Sequence, residues 1–186
     1  MKRVDDVRQR RGDRARRRKG SELLEFSMVM LPLLAMVTVV VDMGWAVFAE
    51  STLQRAVRIG VRTGVTLTSS SALITQYGDL TTAVKNVVQQ NASGLLRNDY
   101  ATIKVNYLQP PPPSSTSAAT DVSGQANGDA PGNIMKVSVV GYSLLPLMPR
   151  IYGGKNGIDS NPMIITVNSA DIIEPDRSPP AIGTAP

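Results

Sequence analysis

The 186-residue chain contains neither cysteine nor histidine. Their absence excludes Ser-His-Asp and Cys-His nucleophilic sites and the usual zinc ligand sets. It leaves the redox compartment open, since a chain without thiols neither needs nor reveals a disulfide-forming environment. No strand-like run is followed by a Gly-rich phosphate loop, and no internal repeat occurs at a useful period. Acidic residues in the C-terminal two thirds (Asp79, Asp99, Asp121, Asp129, Asp159, Asp171, Glu174 and Asp176) are scattered over loops and strand ends. No two of them have a spacing that pairs a general acid with a base. The sequence therefore predicts a protein that is not an enzyme, with no catalytic, cofactor-binding or metal-binding residues.

What is present is strongly polarised. Ten of the twenty Lys and Arg residues lie within the first nineteen positions, in a tract that passes through Arg16-Arg17-Arg18-Lys19 and stops at Gly20. Against Asp5, Asp6 and Asp13 this block carries a net charge of +7, which leaves ten basic and twelve acidic residues in the remainder. The whole-chain pI of about 9.7 is thus a property of the N-terminal block. Alone, such a block could be a nucleic-acid arm. Directly before an apolar segment it is better explained by the positive-inside rule, which predicts no nucleic-acid partner, a cytoplasmic N-terminus and a translocated C-terminal part.

The apolar segment runs from Phe26 to Ala49. As a helix its 24 residues cover roughly 36 Å, against about 30 Å of bilayer hydrocarbon. Its eleven Leu, Val and Phe residues favour insertion by roughly 3 to 7 kcal/mol, and Asp42 opposes it by about 2.5 to 3.5 kcal/mol. Insertion wins. Asp42 has two readings: a solvated interfacial carboxylate beside Trp45, or an intramembrane contact to a polar group of another subunit. Pro32 removes the donor for the Met28 carbonyl and predicts a kink or a loosened turn.

Glu25 also reads in two ways. It is a favourable negative charge near a helix N-terminus, or a countercharge made necessary by processing. The order of basic block, glycine, carboxylate five residues later and membrane-length helix is that of a prepilin-type leader. Cleavage between Gly20 and Ser21 would create a positive amine on Ser21, and Glu25 of a neighbouring subunit would be its countercharge. An ordinary secretory signal is cut after its apolar stretch, and Val47 and Ala49 are small enough to make a cut after Ala49 an alternative.

The stretches Arg18 to Phe26, Leu31-Pro32-Leu33-Leu34, Val41-Asp42-Met43-Gly44 and Leu53 to Arg62 together resemble the N-terminal region of TadE-like proteins. These are minor pseudopilins of the tight-adherence (Flp-type) pilus system. Ile134 to Pro149 and Met163 to Glu174 look like the paired strands that end such proteins. Ser21 differs from the aromatic residue that begins many mature type IV pilins, and Val57 and Val61 stand where small residues are expected. The resemblance implies processing at Gly20 by a membrane prepilin peptidase. It further implies partners among pilin or pseudopilin subunits and the pilus assembly machinery, with the inner or plasma membrane as location. An uncleaved single-pass envelope module that binds another ligand is the chief alternative.

Ala56, Gly60 and Gly64 place a small residue at every fourth position on one helix face. The spacing predicts helix packing there, with a close contact at Gly60 and the helix ending near Thr63 and Gly64. Arg55, Arg58 and Arg62 line another face, solvated or paired with acidic groups of partners.

The predicted architecture is α+β. A leader over 1–20 and a transmembrane or assembly helix over 21–65 precede an extracytoplasmic module over 66–174. Within the module, Leu80, Ala83, Val84, Val87 and Val88 form the stripe of an amphipathic helix capped by Asp79. Strands are predicted over 101–108, 134–144 and 163–173, making a short three-stranded antiparallel sheet packed on that helix. Residues 109–131, opening with Pro110 to Pro113, read as a flexible insertion, and 175–186 as a disordered tail.

Overall fold

The computed structural model describes residues 2–97, 101–144, 162–175 and 178–183, with side chains described from residue 22 onward. Its elements are α1 (Lys2–Thr66), α2 (Ala72–Tyr77), α3 (Leu80–Asn91), β1 (Thr102–Gln109), β2 (Thr120–Asp121), β3 (Ile134–Leu144) and β4 (Met163–Ile172). The chain divides into two compact units. One contains α1 as far as Gly44, and the other begins at Trp45 and contains the rest of α1 with the α+β module.

In the first unit α1 continues through Pro32 as helix. The hydroxyls of Ser27 and Thr38 donate to the carbonyls of Leu24 and Ala35 at 2.9 and 2.8 Å. Helix carbonyls thus satisfy the two hydroxyls of the apolar stretch, which need no water.

In the second unit α1 supplies one wall of the core. Ala49, Leu53, Ala56, Val57, Val61 and Val65 are buried together with Leu80, Ala83, Val84 and Val88 of α3. Val105 and Tyr107 of β1, Met135, Val137 and Val139 of β3 and Val167 of β4 belong to the same cluster. These strand residues alternate with more exposed ones, so one sheet face is covered by helices.

Asp79 caps α3 as predicted, its Oδ1 accepting from the Thr82 backbone N–H at 2.7 Å and its Oδ2 from the Thr82 hydroxyl at 2.9 Å. The helix ends at Asn91, one turn beyond the last residue of the apolar stripe, where Ser93 and Gly94 take positive φ. Short α2, which the sequence does not announce, follows the polar connector and stops at Gly78, also at positive φ. Gly64 does not end α1: it lies within the helix, which runs on to Thr66.

The sheet has four antiparallel strands in the order β2-β1-β3-β4, not the three predicted. The addition is β2, whose two residues pair with Leu108 and Gln109. Two residues are too few for an alternating pattern to register. Between the pairs Val139–Val167 and Tyr142–Ile165, β3 carries Val140 and Gly141 opposite one residue of β4. Gly141, at a φ of 81°, supplies the left-handed conformation for this bulge. The loop joining β3 to β4, with Pro146, Pro149, Gly153, Gly154 and Gly157, lies outside the described residues.

The Pro-rich segment is less detached than its composition implies. Val122, its one branched aliphatic residue, is buried, and its backbone N–H donates to the Tyr107 carbonyl at 2.9 Å. The Ser123 hydroxyl accepts from the Tyr107 N–H at 2.8 Å. Hydrogen bonds from the Ser123 hydroxyl and backbone N–H, with a further one from Asn106, hold the Asp121 carboxyl below its ordinary value against a small opposing desolvation.

The tail is likewise anchored where it is described. Ala181 and Ile182 carbonyls accept from the Leu80 and Thr81 N–H groups at 2.9 and 3.2 Å, and Ile182 is buried. The first turn of α3 has no helical acceptors for these donors, and the tail supplies them.

These contacts divide the segment in two. Replacing Pro111 to Ala118 with a short Gly/Ser linker should shift the melting temperature of the detergent-solubilised chain by only about 2 °C, because loop closure depends only on the logarithm of length. Removing Thr120 to Ala130 should lower it by about 5 to 10 °C, through loss of the buried Val122 and the bonds to Tyr107. Equal shifts in thermal unfolding would contradict this division.

Candidate functional site

The first candidate site is the exposed part of α1. From Leu23 to Phe48 the large apolar side chains point outward, Met28 being 80% exposed. From Ala49 onward one face of the same helix is buried in the core. Among the described residues this is the one helix long and apolar enough to cross a membrane.

The backbone at Gly20 and Ser21 is helical within α1, and the side chain of Ser21 lies outside the described ones. Glu25 is exposed and Asp42 half-buried. Seventeen residues separate them, which along a helix is roughly 26 Å, a little less than the hydrocarbon thickness of about 30 Å. Trp45 and Phe48, just beyond Asp42, are both exposed, with ring centroids 5.5 Å apart.

The second candidate is the small-residue seam. Ala56 is fully buried. A Cβ on Gly60 would collide with Val88 Cγ2, and Val84 Cγ1 would lie 3.8 Å away. A Cβ on Gly64 would lie 2.6 Å from Met135 Sδ and 2.7 Å from Val84 Cγ2. Moving forward along α1 thus moves backward along α3, and the two helices run antiparallel with their backbones in close approach. The seam is used inside the chain, between α1 and its own module. Val57 and Val61, beside it, fill the same core. The spacing of small residues was legible in the sequence. Val84, Val88 and Met135 as the residues that occupy it were not, because no local signal links positions so far apart.

Arg55, Arg58 and Arg62 line an open groove of about 690 Å³, with Ser169 and Asp171 of β4 on its other side. No group of three or more carboxylates among the described residues is placed to hold a metal ion.

The fold thus defines a class: an α+β module built around the C-terminal part of a helix whose N-terminal part is membrane-length and apolar. The family model described as TadE-like protein matches residues 20–62, 43 of the 186 residues. No curated protein and no solved structure matches the chain.

Proposed function

We propose that this protein is a minor pseudopilin, a membrane-anchored structural subunit that acts in assembly of a tight-adherence pilus. The observation that carries the reading is the TadE-like match over residues 20–62, which begins at the glycine where the basic block ends. In this reading a prepilin peptidase cuts between Gly20 and Ser21. The apolar part of α1 remains in the membrane beside other pilin or pseudopilin helices, and the module lies outside the cytoplasm. The roughly 26 Å separation supports placing Glu25 near the inner boundary of the hydrocarbon and Asp42 near the outer one, where Trp45 and Phe48 suit the headgroup region. Neither carboxylate then sits at the bilayer centre, where its cost is greatest.

Cleavage after Ala49 would instead sever α1 within a continuous helix, at a fully buried side chain. The experiment is co-expression with a prepilin peptidase followed by N-terminal sequencing. Ser21 should be recovered as the first residue, and Gly20→Val should leave the chain uncut. Recovery of Glu50 would establish secretion, and an uncut wild-type chain would establish a simple anchor. Either result would overturn the proposal.

A further inference from the structure

The groove beside β4 combines two unfilled capacities. Arg55, Arg58 and Arg62 fall within a 60° arc of α1 at 100° per residue, and all three are exposed. Among the described residues they have no ion-pair partner. Across the groove β4 is the last strand of the sheet, ten residues long, and no described strand pairs with its outer edge. Its backbone groups along that edge are a template for one more strand. Exposed edges in monomers are commonly protected by inward charges or by very short strands. Here the strand is long, its one charged residue, Asp171, lies next to its last position, and the three arginines on the neighbouring helix outnumber it.

We infer that the groove between α1 and the outer edge of β4 is a docking site for an extended, acidic segment of a partner protein, which adds to the sheet as a fifth strand. Backbone hydrogen bonds to β4 supply the alignment. Side chains at alternate positions of the added strand face the helix-covered side, because the strand period is two. Carboxylates at those positions meet the arginines: Arg55 and Arg62 are about 10.5 Å apart along α1, and residues two and four apart on a strand are about 7 and 13 Å apart. The guanidinium fork suits carboxylates better than an ammonium would.

Asp171 sets the direction of the charge pattern. It is paired across the sheet with Met135, which packs against Gly64, so it lies at the Arg62 end of the groove. Acidic side chains are therefore favoured towards Arg55 and Arg58. The inference rests on the folded module alone and stands whether or not the leader is cleaved or a pilus is built.

The test uses the full chain in nanodiscs of zwitterionic lipid and a fluorescent peptide of five Val-Glu repeats, followed by anisotropy. The peptide should bind saturably. Joint replacement of Arg55, Arg58 and Arg62 by glutamine should weaken binding by about tenfold or more, the sum of three partly exposed ion pairs. Arg58→Glu alone should weaken it in the same direction, and Asp171→Asn should tighten it. Two N-methylated peptides test strand addition itself. Methyl groups on all valine amides and on all glutamate amides block opposite edges, so one peptide should lose binding and the other keep it. Absence of binding overturns the inference, and so does equal behaviour of the two methylated peptides, which would mean charge attraction without strand pairing. Arginine-dependent binding of anionic phospholipid vesicles without binding of the peptide would make the groove a lipid site and equally overturn it.

Discussion

Leucine in place of Gly60 should destabilise the protein by about 3 kcal/mol, the upper end of the usual cost of overpacking a close-packed core. Intrinsic propensity points the other way, since glycine within a helix is less favourable than other residues by about 0.5 to 1 kcal/mol. Packing decides the sign, because the new side chain must displace Val88, whose Cγ2 already occupies the place of its first carbon. Valine is branched at Cβ and has one strongly preferred rotamer in a helix, so it does not swing aside. For a chain of this length the melting temperature should fall by about 6 to 12 °C. Gly44 is the control, since a Cβ there meets nothing within 4 Å, and its replacement by leucine should leave the melting temperature of the module unchanged. The milder Gly60→Ala, combined with Val88→Ala, should be less damaging than the two single effects added together. Strict additivity in thermal unfolding of the detergent-solubilised protein would show that these residues do not touch.

Removing the carboxylate of Glu25 should abolish assembly without preventing cleavage. On the proposed reading, the Ser21 amine of one subunit is neutralised by Glu25 of its neighbour at a membrane boundary. Unit charges about 4 Å apart interact by about 4 kcal/mol at an effective dielectric of 20, which corresponds to several hundredfold in association. Glu25→Ala and Glu25→Gln should both yield correctly trimmed subunit and a loss of at least tenfold in co-purified pilin partners or in surface pili. Glu25→Asp should retain part of the assembly. Normal piliation of the glutamine variant would remove the intersubunit pair from the mechanism, while a block in cleavage would assign Glu25 to peptidase recognition.

The elements with strong local signals were legible before any fold was known. The stripe through Leu80, Ala83, Val84 and Val88 with Asp79 before it became a capped helix, and the runs predicted at 101–108, 134–144 and 163–173 became strands at 102–109, 134–144 and 163–172. Their patterns repeat over several residues, and each repeat adds to the same inference. The two-residue β2 has no such repetition, and its position depends on Tyr107 and Ser123 meeting across the intervening loop. Anchoring of the tail by Leu80 and Thr81 was hidden for a related reason. A polar segment rich in proline resembles a disordered one until helix donors without acceptors are placed beside it.

The sequence by itself determined the order of features along the chain: a basic block, a membrane-length apolar stretch, and then segments patterned as helix and strand. Charge, length and period are additive properties of neighbouring residues, and they survive without knowledge of what lies opposite. The tertiary structure alone decided where the small residues of α1 are spent, at Val84, Val88 and Met135 of the same chain. It also decided that three arginines share a groove with β4, the last of the described strands. Both depend on residues separated by tens of positions arriving at one place, and close packing determines which of them touch.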